Sequence, residues 1–175
     1  MNTPFEDTPN SMLPFDRIKT FLRIAGYYAI MHQRLHESFG ERVQFTPTEV
    51  PPHVTVSAGE YALSFTAALS ARLLLLFGAA ERMNVSLISD GDEILLSFTG
   101  TPQEREAVDN SLPAYRALFA DVAEKGGFTD TLTRENDTLT VTVTLRRTAG
   151  APDALHQDFV FPGSDPFADA FAYPI

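Results

Sequence analysis

The chain contains no cysteine, which excludes disulfides and thiolate metal sites. Lysine is nearly absent too: Lys19 and Lys125 are the only two, and the formal net charge is −10. No basic stripe is visible, which argues against a nucleic-acid partner. The same charge disfavours adsorption to anionic membrane surfaces. Long apolar runs are also missing, since the longest, Leu73 to Phe77, is far too short to cross a bilayer. The N-terminal stretch MNTPFEDTPN is acidic and has no apolar signal core. Together these features predict a cytoplasmic protein that binds neither nucleic acid nor membrane.

What is present suits one globular domain with additions at both ends. Hydrophobic residues make up 44% of the 175 positions, enough to bury a core. Residues 1–13 are polar, Pro-bearing and without period, and are expected to form a flexible leader. Over 14–42 the apolar residues recur every three or four positions, in two stripes. One is Phe15, Ile18, Leu22, Ala25, Ala29 and His32; the other is Phe21, Ile24, Tyr28, Met31 and Leu35. The spacing predicts a long helix that starts near Pro14, stops at Gly40 and packs on a partner helix or a domain.

Beyond it, Val43–Thr46 reads as a short strand and Ala58–Phe77 as a deeply buried helix, apolar nearly all round. Asp90-Gly91-Asp92 lies between two alternating apolar runs, a strong hairpin signal. A helical segment over Thr101–Lys125 ends at Gly126-Gly127, and a second hairpin turns at Glu135-Asn136-Asp137. In its last strand, Thr138, Thr140, Thr142 and Thr144 alternate with Leu139, Val141, Val143 and Leu145, which predicts one buried and one polar face. Residues 149–175 are acidic and aromatic, and are expected to form an extended arm or a docking peptide.

The order strand, helix, hairpin, helix, hairpin over 43–148, with Gly-Gly before the last hairpin, resembles the ATPase domain shared by sensor histidine kinases, gyrase B and the Hsp90 chaperones. The closest stretch is ALFADVAEKGGFTDTLTRENDTLTVTVTL. The resemblance implies an α+β fold: a two-layer sandwich of a mixed, largely antiparallel sheet of about four to five strands, with helices on one face and the long N-terminal helix in front. It also implies a homodimer through that helix.

The motif residues of the resembled site are replaced. Its first motif has two Asn four apart, then a small and a basic residue, and the second Asn helps to hold magnesium. Phe65 and Leu69 stand at the Asn positions here, followed by Ser70 and Arg72. An alkyl side chain cannot supply the oxygen that magnesium requires. The second motif, Asp-x-Gly-x-Gly, reads Phe98-Thr99-Gly100-Thr101-Pro102. Phe98 takes the position of the Asp that bonds adenine, and only the first glycine, Gly100, remains. Between Pro102 and Leu112 there is no glycine to form a phosphate-covering lid.

The expectation is therefore a degenerate, non-catalytic signalling module with no cofactor and no metal. It would work through a protein partner, either a response regulator or a kinase. An alternative is a histidine phosphotransferase that exchanges phosphate with a response regulator through His36 or His32, which share one helix face. A second alternative is an ATP-binding protein kinase of the anti-sigma-factor type. A zinc site built on His32 and His36 lacks a third ligand in the sequence, because His53 and His156 lie in distant loops.

Overall fold

Hydrophobic patterning fixes most of the elements, and backbone pairing decides the rest. The computed structural model describes residues 19–149 and 165–175. The chain enters as strand β1 (Lys19–Arg23), turns into helix α1 (Ile24–Phe39), and passes through a 3-10 turn at Gly40–Arg42 into β2 (Val43–Phe45). Strand β3 (Thr55–Gly59) runs straight into α2 (Glu60–Ala71), whose end widens into a π-turn over Arg72–Phe77. The hairpin of β4 (Met83–Asp90) and β5 (Glu93–Gly100) follows. After it come α3 (Arg105–Gly126), the hairpin of β6 (Thr129–Glu135) and β7 (Thr138–Thr148), and α4 (Pro166–Ala172).

The fold class is α+β, as the sequence predicts, but among the described residues the sheet has seven strands. Their order is β1-β3-β7-β5-β4-β2, and β6 also pairs with β7. β2 pairs parallel with β4, and the other pairs are antiparallel. One sheet face is the core side: Met83, Val85, Leu87, Ile94, Leu96, Phe98, Leu139, Val141, Val143 and Leu145 are all buried there. The other face carries hydroxyls. Ser97 pairs with Thr142 and Thr99 with Thr140, their oxygens 3.4 and 3.2 Å apart. Alternation along each strand puts apolar and hydroxyl side chains on opposite faces, as the threonine pattern predicts.

All twelve residues of α2 are buried, so it is the central core helix. With its π-turn it forms an 18-residue segment long and apolar enough to span a membrane, yet 83% of that window is packed inside the domain. The π-turn closes on Gly78, whose amide donates to the Leu73 carbonyl at 2.8 Å. A side chain at Gly78 would sit 2.8 Å from that oxygen and 2.9 Å from Cβ of Pro102, so the close approach requires glycine.

Two expectations about the ends of the chain are corrected. The first helix starts at Ile24, and Lys19–Arg23 is a strand because it pairs residue for residue with β3. Residues 14–18, the predicted start of the arm, lie outside the described residues. The stripe of Ile24, Tyr28, Met31 and Leu35 is buried in the domain's own core. The Tyr28 hydroxyl donates to the carbonyls of Thr46 and Val85 at 2.7 and 2.9 Å, tying α1 to the sheet. At the other end, 166–172 is a helix rather than an extended arm. Asp165 caps it by accepting from the Phe167 amide, and Pro166 opens its first turn. Phe159 and Phe161 of the predicted tail lie outside the described residues.

Candidate functional site

Three residues at the aligned nucleotide-site positions are sealed in the core. Phe65 and Leu69 lie one turn apart on α2, Phe98 lies on the core side of β5, and each has 0% exposure. Phe65 meets Tyr173 edge-on, with ring centroids 5.7 Å apart. These three side chains present only carbon atoms to the core, so they contribute packing there.

Gly100 serves a packing purpose as well. A Cβ there would lie 3.0 Å from the Arg82 carbonyl and 3.5 Å from Leu74, so the strand end presses on the loop after α2. The connection from β5 to α3 is only the four residues Thr101–Glu104. It is pinned to the end of α2, because the amides of Gln103 and Glu104 both donate to the Gly78 carbonyl at 2.8 and 3.0 Å. The connection is therefore short and tied to the core helix. A cleft of about 520 Å³ opens beside it, lined by Glu81, Arg82, Asn84, Thr99 and Gln103 among others.

Arg72, the basic position of the first motif, is engaged by the C-terminal helix. Its Nη1 donates to the carbonyls of Ala170 and Tyr173 at 2.8 and 2.6 Å. Burial raises the Tyr115 pKa above its ordinary value, against the opposing pull of Arg72. On the same surface the Tyr61 hydroxyl donates to the Asp169 carboxylate. Burial first, and then Asp169, push the Tyr61 pKa far upward, so this tyrosine stays a neutral donor. Nη2 of Arg34 on α1 donates to both Asp165 oxygens at 2.9 and 3.0 Å, and the guanidinium carbon lies 4.6 Å from the centre of the Phe167 ring.

The histidines lie elsewhere. His32 and His36 are exposed on α1, their ring centroids 6.0 Å apart, and His32 stacks on Phe45 at 4.5 Å. Arg34 is turned away from them toward α4. Among the described residues, no group of three His, Asp or Glu side chains converges to hold a metal.

The same order of strands and helices recurs in solved structures. The ThkA histidine kinase catalytic domain aligns with 78% of this chain and 99% of its own, with a TM-score of 0.56 at 9% identity. This is the fold of the histidine-kinase ATP-binding domain. The ATP-binding domain of PrrB from Mycobacterium tuberculosis aligns with a TM-score of 0.56 at 12% identity, covering 75% of this chain and 98% of its own. ThkA in complex with the response regulator TrrA aligns with a TM-score of 0.52 at 11% identity, covering 74% of this chain and 42% of that one. No protein-family model matches the sequence, and no curated protein does. At such identities the kinase-like fold carries over while residue roles do not.

Sequence reasoning singled out Arg72 but missed its neighbours in this cluster, Arg34, Tyr61, Asp165 and Asp169. A signal for α4 was present: Asp165-Pro166 followed by Phe167, Ala170 and Phe171 is an N-cap, a first-turn proline and an apolar stripe.

Proposed function

We propose that this chain is a histidine-kinase-like signalling module that performs no phosphoryl transfer from ATP and acts by binding a protein. One observation carries the reading: Phe65, Leu69 and Phe98, at the aligned Asn and Asp positions, have 0% exposure. A nucleotide site without its buried polar anchors loses most of its binding energy. The four-residue Thr101–Glu104 connection, in place of a glycine-rich lid, supports the same conclusion. The partner class we propose is a response regulator, by analogy with ThkA, whose kinase-like fold is seen bound to one.

Calorimetric titration with ATP and ADP, with and without magnesium, tests the reading. No heat at high micromolar nucleotide is the expected result. Magnesium-dependent binding would overturn it and bring forward the ATP-binding kinase of the anti-sigma-factor type.

A second reading, histidine phosphotransfer with a response regulator, is favoured by one feature: both imidazoles are exposed on α1. Its test is incubation with a receiver domain phosphorylated on Asp. Acid-labile label on the chain that disappears with His36→Gln or His32→Gln would establish it, and an unlabelled chain would exclude it. A homodimer through α1 would have to use its exposed polar side, Gln33, His36 and Glu37, because its main apolar stripe lies in the core.

A further inference from the structure

We propose that the groove between α1 and α2 is a receptor for a short acidic, aromatic helix, and that α4 of the same chain is its resident occupant. The inference rests on the contacts of α4 and stands apart from the signalling reading.

The two surfaces match in charge and in shape. The groove contributes two cations, Arg34 and Arg72. The helix contributes Asp165 at its N-terminus and, at its C-terminal end, the carbonyls of Ala170 and Tyr173. A helix C-terminus carries partial negative charge, so its carbonyls are natural acceptors for Arg72. The Tyr61 hydroxyl takes the acid in the middle, Asp169. Between these polar ties lie apolar anchors: Phe167 is 3% exposed and Ala170 0%. Phe39 meets Phe171 edge-on, with centroids 5.8 Å apart.

This pattern differs from a tail that merely lies on a surface. Three donors of the groove, Arg34, Tyr61 and Arg72, each meet an acceptor on α4 or its flanks. If α4 left, the Arg72 guanidinium would lose two carbonyl acceptors and the Tyr61 hydroxyl would lose its carboxylate. Losing such acceptors is costly for partly buried donors, so the emptied groove calls for a replacement of the same chemistry. The required ligand is a helix with an acid at its N-cap, an aromatic residue two positions on, an acid at the fourth, a small residue at the fifth, and aromatics at the sixth and eighth. That is the helix-in-groove mode of recognition. While α4 is docked, the face of α2 around Phe65 and Arg72 is closed to every other ligand.

The test uses the full chain and a fluorescent peptide of residues 165–175. A free peptide must compete with a tethered helix whose effective concentration is on the order of millimolar, so the wild type should capture little of it. Phe167→Ala removes the largest buried anchor from the tail and leaves the groove whole. That variant should bind the peptide on the order of a hundredfold more tightly than the wild type. Adding Arg34→Ala to it should abolish the gain. Hydrogen exchange should find the amides of Phe167–Ala172 protected in the wild type and released in Phe167→Ala, with the β5 and β7 amides unchanged in both. Equal peptide binding by wild type and Phe167→Ala, including none in either, would overturn the proposal. So would protection of α4 that rises with protein concentration alongside a doubled mass, because the occupant would then belong to a second copy.

Discussion

Leu69 provides the sharpest test of whether the aligned nucleotide site is core or pocket. It has 0% exposure, on a helix whose residues are all buried. Leu69→Asn nearly keeps the shape, so it leaves little cavity. It loses the burial of a leucine side chain, about 2–3 kcal/mol. It also buries an amide in a wall without partners, which adds about 1–3 kcal/mol. The sum is about 4 kcal/mol. For a chain of 175 residues, each kcal/mol lowers the melting midpoint by about 2–4 °C, so the expected fall is roughly 8–16 °C. The assay is thermal and guanidinium unfolding followed by circular dichroism, with Leu69→Ala alongside. Leu→Ala in a core costs about 2–5 kcal/mol through transfer and cavity together. In a sealed core Asn should be at least as damaging as Ala. If Asn were clearly the milder change, or shifted the midpoint by less than about 2 °C, position 69 would face open space, and the reasoning behind the proposed function would fail.

Three further outcomes follow from particular contacts. Asp130 faces a groove of about 400 Å³ between α3 and β6; burial pushes its carboxyl up to about 6, and its Oδ2 has no hydrogen-bond partner. Because the folded pKa lies above the unfolded value of about 3.9, its destabilising effect is absent below pH ~4, grows through the window from there to pH ~6 and is complete above it. Asp130→Asn should therefore stabilise the chain at pH 7, by on the order of 1 kcal/mol after allowance for solvent screening, and flatten the pH dependence of the melting midpoint across that window. Gly78→Ala should cost about 2 kcal/mol in guanidinium unfolding, because the added carbon meets a backbone oxygen at 2.8 Å that cannot easily move. Tyr28→Phe removes one hydroxyl that serves two carbonyls and should cost about 1–2 kcal/mol, read as faster hydrogen exchange in β2 and α1.

What the sequence revealed, and what it hid, follows from where the information lies. Both hairpins were legible because Gly91 and Asn136 take the left-handed conformation that their turns need. The threonine alternation of β7 gave the two faces of the sheet directly. Strand β1 was hidden because Phe21 and Leu22 continue the helical spacing of α1, and only the partner strand β3 decides between the two. Strand β3 was hidden because four of its five residues are buried, which removes the period-two signal. The burial of Phe65, Leu69 and Phe98 was legible from the apolar run of α2 and the alternation of β5. The α4 groove was not, since the Arg34–Asp165 pair joins residues 131 positions apart. No local pattern encodes a contact at that separation.

The sealed core around α2 also bears on how such a chain can change over generations. On the proposed reading, a drift toward a nucleotide-holding site would need polar groups at 65, 69 and 98, and a longer connection at 101–104. Each polar replacement taken alone removes several kcal/mol from a fold whose whole margin is about 5–15 kcal/mol. The intermediates would therefore lose much of that margin before the last change could confer any benefit. Packing of this kind works as an evolutionary ratchet: once aromatic and aliphatic side chains fill these positions, selection can retune the surface far more readily than it can reopen the interior.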